Sequence, residues 1–375
     1  YKRQEQESCV SGSIKLGMPK IKKSAPISKY PLSSTQTGIF FLSQMNHSGL
    51  ALELCYQLIL RGIPDDAALE KALYALEERH PVLKTRFVLD EGKAWQYIVS
   101  NQKLNISYYN FLHLTSIERD SKLKQIIQTE LEQSFQIFDS PLVHYCLIRY
   151  AADRTIILLK VHHLITDGFS FEILHRHFAE FYNQYHKGGT LISSDESTYS
   201  DYVCWENELT DTKYYQESKS FWEKTVKPKC DPLELASDFP RPYPRQYTGS
   251  IFEQQLDQTS KKQLIHLGIQ RSVSLATVLL TALAIVLYKH SGQNDFYIGV
   301  VVNGRSNLPQ LRNIVGVFSK ILPIRLTFDS NMKIGDLLQY VNMQLTESLD
   351  HQLYPTHEII NMNSNQKSAD FAPLY

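Results

Sequence analysis

Two adjacent imidazoles, His162 and His163, stand five and four residues ahead of Asp167 in the string His162-His163-Leu164-Ile165-Thr166-Asp167-Gly168. Histidine titrates near neutral pH, so His163 could take a proton from an amine or hydroxyl, or hold that group by a hydrogen bond. Asp167 is one of the few nearby groups able to hold such a loop, and Gly168 is expected to permit a backbone angle that a bulkier residue would resist. The plainer alternative is a pair of structural histidines followed by an ordinary Asp-Gly turn. The complete HHxxxDG string favours a catalytic loop, because of what flanks it.

Thr155 to Val161 (TIILLKV) is a β-branched and aliphatic run of strand length. From Ser170 to Tyr185, the residues Phe171, Leu174, Phe178, Phe181 and Tyr185 recur at the spacing of one amphipathic helix face. The histidines therefore fill a strand-to-helix turn, where a helix N-terminus can face a polarised oxygen.

Along the rest of the chain, helices are predicted over Ser34 to Met45, from Asp65 or Asp66 to Arg79, and over Ile117 to Phe135. Strands are predicted over Leu52 to Leu60, Thr85 to Leu89, Trp95 to Val99 and Val143 to Tyr150. In the second half the pattern predicts helices over Ser260 to Gln270, Ser274 to His290 and Ile334 to Leu349. Strands are predicted there at Phe296 to Val302 and Ile321 to Phe328. Pro228, Pro232, Pro240, Pro242 and Pro244 mark a connector unfriendly to helix or central strand. Two α/β halves follow from this, with a ligand site expected at their interface.

Composition narrows the function. The 39 basic and 39 acidic residues give a formal net charge of zero, so neither nucleic acid nor an anionic membrane is an expected partner. Cys9, Cys55, Cys146, Cys204 and Cys230 are scattered with no CxxC pair, which argues against a disulfide framework and a zinc site and suits a cytoplasmic protein. The most apolar segment, Ser274 to Tyr288, is shorter than the roughly 20 residues that span a bilayer. Tyr1 to Lys29 is polar and reads as a linker within a larger polypeptide.

Several further stretches sharpen the reading: Ser33 to Leu42 (SSTQTGIFFL), Arg79 to Phe87 (RHPVLKTRF), Val161 to Ser170 (VHHLITDGFS) and Tyr199 to Trp205 (YSDYVCW). Ile298 to Arg305 (IGVVVNGR), Val315 to Arg325 (VGVFSKILPIR) and His351 to Glu358 (HQLYPTHE) complete the series. In content and order they resemble the motifs of the condensation domain of nonribosomal peptide synthetases, within the chloramphenicol-acetyltransferase-like superfamily. The resemblance runs from about Tyr30 to the end of the chain.

It implies an α/β fold of two chloramphenicol-acetyltransferase-like lobes, each a mixed sheet with helices, and an active site in the tunnel between them. Residues 1–29 would be a linker from an upstream carrier-protein domain, 30–227 the N-terminal lobe, 228–249 the connector, and 250–375 a C-terminal lobe that stops short of the usual length. The implied reaction is amide formation: the amine of a carrier-bound acceptor attacks the acyl thioester of a carrier-bound donor. Both substrates would arrive on phosphopantetheine arms, with no cofactor or metal bound by the domain itself. Expected partners are the upstream donor and downstream acceptor peptidyl carrier domains and an adjacent adenylation domain.

Carried over residue by residue, the resemblance makes His163 the group beside the amine and His162 a support of the loop. Asp167 would pair with an arginine, Arg305 first and Arg325 second. Gly168 would offer a backbone N–H to the oxyanion, and Gln36 and Ser319 would line the substrate tunnel. Gly38 stands where many peptide-extending members carry arginine, which leaves the donor class open. Three rivals remain. An epimerization domain would usually show Ser-Trp after the Asp loop, whereas Gly168-Phe169-Ser170-Phe171 follows here. A free-standing acyltransferase of the plant type would carry a DFGWG-like string, which is absent. A degenerate module that only recruits a partner enzyme would be expected to lose the second histidine.

Overall fold

The computed structural model describes residues 19–24, 28–45, 52–190, 196–228, 230–239, 249–305, 308–329 and 331–362. Most of the proposed N-terminal linker, residues 240–248 of the Pro-rich connector and the last part of the proposed C-terminal lobe lie outside them. Two compact units emerge. One comprises Pro19–Thr210 with Leu308–Ser319, the other Asp211–Asn307 with the described part of Lys320–Tyr375.

The first unit contains β1 (Tyr30–Pro31), α1 (Ser34–Met45), β2 (Glu53–Arg61), α2 (Asp66–Arg79), β3 (Thr85–Asp90) and β4 (Lys93–Ile98). It continues with β5 (Ile106–Asn110), α3 (Ser116–Glu132), β6 (Val143–Ala151), β7 (Arg154–His162), α4 (Gly168–His186) and α5 (Tyr199–Glu208). Its main sheet has the order β2-β7-β6-β5, antiparallel except for the parallel β5/β6 pair. β7 is buried from Thr155 to His162, as a continuous aliphatic run covered on both faces must be. On one face, Ile126 of α3 packs with Cys146, Ile148, Ile156 and Leu158. On the other, Phe171 of α4 stacks on Tyr56 of β2 at 4.9 Å between ring centres.

A smaller sheet, β1-β4-β3, closes through a two-residue turn in which Glu91 and Gly92 both have positive φ, the twist a tight hairpin requires. The predicted elements of this unit are present, with ends that differ by no more than three residues. β1, β5 and α5 were not anticipated.

Glu77 of α2 is buried behind β6, and Gln102 Nε2 donates to its Oε2 at 3.2 Å. Burial pushes its carboxyl up to about 7, against the lowering influence of Tyr145, Gln102, Lys84 and Arg86. The folded-state pKa lies above the unfolded one, so the protonated form stabilises the fold at pH 4.5 and below, and that contribution is lost as pH rises through 7. Urea unfolding is therefore expected to show stability falling by on the order of 2–3 kcal/mol from this group between pH 4.5 and 7.5. Glu77→Gln should flatten that slope; an unchanged slope would count against the assignment.

The second unit holds α6 (Lys213–Val226), α7 (Gln258–Gln270), α8 (Leu275–Ser291), β8 (Asp295–Val302), β9 (Lys320–Thr327), α9 (Ile334–Asp350) and α10 (Thr356–Met362). β8 and β9 pair antiparallel beneath a core of Phe296, Ile298, Leu322, Ile324, Leu337 and Val341. Trp222 of α6 is fully buried in that same core and donates from Nε1 to the His351 carbonyl at 3.1 Å. The division therefore falls before α6, at Thr210/Asp211, rather than at the prolines, because the tryptophan ties this helix to the second core. Leu308–Ser319 likewise belongs with the first unit, despite its position late in the chain. Among the described residues, no single helix is long and apolar enough to cross a membrane.

Candidate active site

β7 ends at His162, and the chain turns through five residues before α4 begins at Gly168. The His162 ring is buried, and its Nδ1 accepts the Leu164 N–H at 3.1 Å, so Nε2 carries its proton. Burial, with help from His163 and Lys160, depresses its pKa to about 4. His162 is thus a neutral brace of the turn.

His163 is held differently. Its backbone N–H donates to the Leu52 carbonyl at 2.8 Å, and its Nδ1 lies 2.9 Å from the Thr166 carbonyl oxygen. A carbonyl can only accept, so Nδ1 bears the proton and the Nε2 lone pair is the free acceptor. The ring is half-buried, and Nε2 has no hydrogen-bond partner among the described residues. That tautomer is the one a proton acceptor needs.

Asp167 is fully buried and N-caps α4. Its Oδ1 accepts from Ser170 N at 2.9 Å, and its Oδ2 from Phe318 N at 2.9 Å, Ser319 N at 3.1 Å and Ser319 Oγ at 3.2 Å. The Ser170 hydroxyl lies 2.8 Å from both Asp167 Oδ1 and the Gly316 carbonyl, gives its single proton to one of them, and accepts Gly316 N–H at 3.1 Å. One carboxylate therefore joins the histidine turn to the segment Val315 to Ser319. Gly316 packs so closely on Tyr199 that a Cβ there would lie 2.0 Å from the ring, which explains the glycine.

Two further motif stretches meet the same turn. Gln36 of α1 donates from Nε2 to the Leu164 carbonyl at 3.0 Å, while its Oε1 accepts Ser33 N–H at 2.9 Å. Tyr199 of α5 donates to the Val317 carbonyl at 2.8 Å, and its hydroxyl is 2.8 Å from Ser33 Oγ. Residues as distant in sequence as Ser33 and Ser319 thus form one polar clasp around His162 to Asp167.

Several expectations change. Gln36 is fully buried, with its Nε2 on the Leu164 carbonyl. Ser319 is half-buried with its polar groups on Asp167. Gly168 is exposed at the first position of α4, has no positive φ, and a Cβ there would meet open space, so no special backbone angle calls for it. Its amide sits at the positive end of a 19-residue helix.

Arg325 belongs to the second unit, where Nε and Nη2 bind Asp295 at 2.9 and 2.7 Å and Nη1 donates to the Thr225 and Pro228 carbonyls. Its charge is matched there by Asp295, and it ties β9 and β8 to the end of α6. Arg305, also of the second unit, is buried, and its Nη1 donates to the Asn303 carbonyl at 3.3 Å. Ser170, Tyr199 and Phe318 are the site-building residues that sequence reasoning left unassigned, although each lies inside a quoted motif.

Replacing Gln36 by leucine conserves bulk and removes the donor to Leu164. Loss of about 1–3 kcal/mol is expected, because the buried carbonyl and the Ser33 amide are left without partners. Thermal unfolding checks this; an unchanged midpoint would show that the clasp is dispensable.

The likeness to solved structures agrees with this architecture. The chain superposes on the X-domain in its complex with OxyB from teicoplanin biosynthesis with a TM-score of 0.86, at 20% identity, over 96% of this chain and 79% of that one. The first condensation domain of the calcium-dependent antibiotic synthetase gives 0.76 at 18% identity, covering 91% and 79%. At these identities the comparison bears on fold alone. The family model described as "Condensation domain" matches residues 27–375. The chain belongs to the condensation-domain family.

The expected chloramphenicol-acetyltransferase-like fold and the motif-based resemblance are both borne out. Among curated relatives of this condensation domain, tyrocidine synthase 3 of Brevibacillus parabrevis is 28% identical over 346 residues, 92% of this chain and 5% of that synthase. Surfactin synthase subunit 2 of Bacillus subtilis (strain 168) is 26% identical over 368 residues, 98% of this chain and 10% of that subunit. The domain therefore spans a small fraction of the synthases it matches.

Proposed function

We propose that this condensation domain joins a donor acyl thioester to the amine of an acceptor aminoacyl thioester, each delivered on the phosphopantetheine arm of a carrier domain. The observation that carries the reading is the His163 tautomer, with Nδ1–H on the Thr166 carbonyl and the Nε2 lone pair available to an incoming amine. A thioester is already activated, so the domain needs no nucleophile of its own.

The amine nitrogen attacks the thioester carbon, the C–S bond breaks, and the thiol of the donor arm leaves. The proton lost by the amine passes to the leaving thiolate, either by way of His163 Nε2 or from an amine that His163 only holds by a hydrogen bond. An α-amino group with a pKa of roughly 8 has an appreciable neutral fraction at pH 7, so much of the acceleration comes from holding the two reactants in contact. The exposed amide of Gly168, at the start of α4, is assigned to the oxyanion.

The test uses the full chain with a loaded donor carrier and a loaded acceptor carrier, and mass spectrometry of the carrier-bound product. Amide on the acceptor arm supports the reading. Exchange of the acceptor α-proton without amide identifies an epimerization domain instead, and product from a free acyl-CoA donor identifies a free-standing acyltransferase. The likeness to an X-domain seen in complex with OxyB raises a recruiting role as a second reading. Tight binding of a partner enzyme with no product in any arm would select it. The carrier and adenylation domains of such synthetases are the partners this proposal requires.

A further inference from the structure

Away from the histidine turn, three potential ligand atoms converge beneath α3. His144 and Cys146 lie two residues apart on β6, on the sheet face covered by α3, and Glu130 reaches down from the last turns of that helix. His144 Nδ1 is 2.9 Å from Glu130 Oε2 and 3.9 Å from Cys146 Sγ, and the three donor atoms lie within 4.8 Å of one another. Glu130 and Cys146 are buried, and His144 is half-buried.

The second nitrogen of His144, Nε2, is 3.0 Å from Ser107 Oγ of β5. When the ring donates to that hydroxyl, its Nδ1 lone pair faces a carboxylate and a sulfur. Such a set of acceptors is stable only with a proton or a cation among them.

The spacing suits a cation. Tetrahedral zinc with metal–nitrogen and metal–oxygen distances of about 2.0–2.1 Å and metal–sulfur of about 2.3 Å has N···O and N···S edges of about 3.3 and 3.6 Å. The observed 2.9 and 3.9 Å differ from these by a few tenths of an ångström, within reach of small side-chain rotations. The charges also balance, since a thiolate and a carboxylate together neutralise a divalent ion in a buried place. Lys160, the cross-strand neighbour of His144, is engaged elsewhere, on the Gln133 carbonyl and over the Phe135 ring.

We propose that Glu130, His144 and Cys146 form a site for one thiophilic divalent cation of the zinc class, with water in the fourth position and Ser107 orienting the imidazole. Binding releases the Cys146 thiol proton to solvent and pins α3 to β6. The site is independent of the condensation reaction. Sequence patterns do not signal it because its ligands come from a helix and a strand with spacing unlike a zinc motif.

Cobalt titration of the full chain tests it. One equivalent of Co²⁺ should produce a thiolate-to-cobalt charge-transfer band that zinc then displaces. The band should vanish in Cys146→Ser and persist in Cys55→Ser. Ser107→Ala, at the half-buried rim, should weaken zinc binding by about 10–100-fold, as loss of an outer-shell partner does. No band in the wild-type chain, or a band that survives Cys146→Ser, would overturn the proposal. If Cys146→Ser fails to fold, the Ser107→Ala affinity decides, and an unchanged value sinks the site.

Discussion

Replacing His163 by alanine is expected to lower amide formation between loaded carriers by about 10²–10⁴-fold, the range over which a positioned proton acceptor contributes. The fold should survive. Among the described residues the side chain makes a single hydrogen bond, Nδ1 to the Thr166 carbonyl, and the backbone bond to Leu52 is untouched by the substitution. The stability cost is therefore about 1 kcal/mol. Single-turnover rates with mass-spectrometric detection, set beside thermal unfolding, separate the two effects. His163→Gln adds a finer reading: an amide can hold an amine by a hydrogen bond yet takes no proton at neutral pH. Retained turnover in that variant would identify positioning, and its loss a general base. Wild-type rates in the alanine variant would remove His163 from the mechanism.

Asp167→Ala is expected to act through the fold, with a loss of about 3–5 kcal/mol. The carboxylate is the acceptor for the cap of α4 at Ser170 and for both amides of Phe318 and Ser319, all in a place water does not reach. Removing it strands several buried N–H groups together. Asp167→Asn should be nearly as damaging, because one face of its side chain becomes a donor and the surrounding groups are themselves donors. Urea unfolding of both variants checks this, and a loss below about 1 kcal/mol would show that the clasp contributes little. Turnover should fall with stability, because the same carboxylate fixes the turn that carries His163.

The legible parts of the chain share a physical property. β7 could be read because an unbroken aliphatic run suits a strand buried on both faces, and α4 because its apolar residues repeat on one helical face. α6 could not: Tyr214, Ser218, Trp222 and Val226 make a narrow buried stripe in an otherwise polar stretch, which resembles a solvated segment until Trp222 meets its core. β5 is five residues long, and its parallel pairing with β6 depends on a crossover through α3 that has no local signal. Thr198 and Asp201 do form a recognisable helix start for α5, so that element was readable in principle.

By itself the sequence determined the family and the order of its motifs, and singled out His163 as the candidate, since these depend on residue types that adjoin one another in the chain. Tertiary structure alone decided which nitrogen of His163 is free, that Gln36 braces the turn from within the core, that Asp167 is held by amides from residues 318 and 319, and that Arg325 binds Asp295. The reason is that a hydrogen bond joins atoms within about 3 Å whatever their separation in sequence. A carbonyl at position 164 or 166 leaves no mark in the identity of its residue, so only the folded chain shows which side chain it holds.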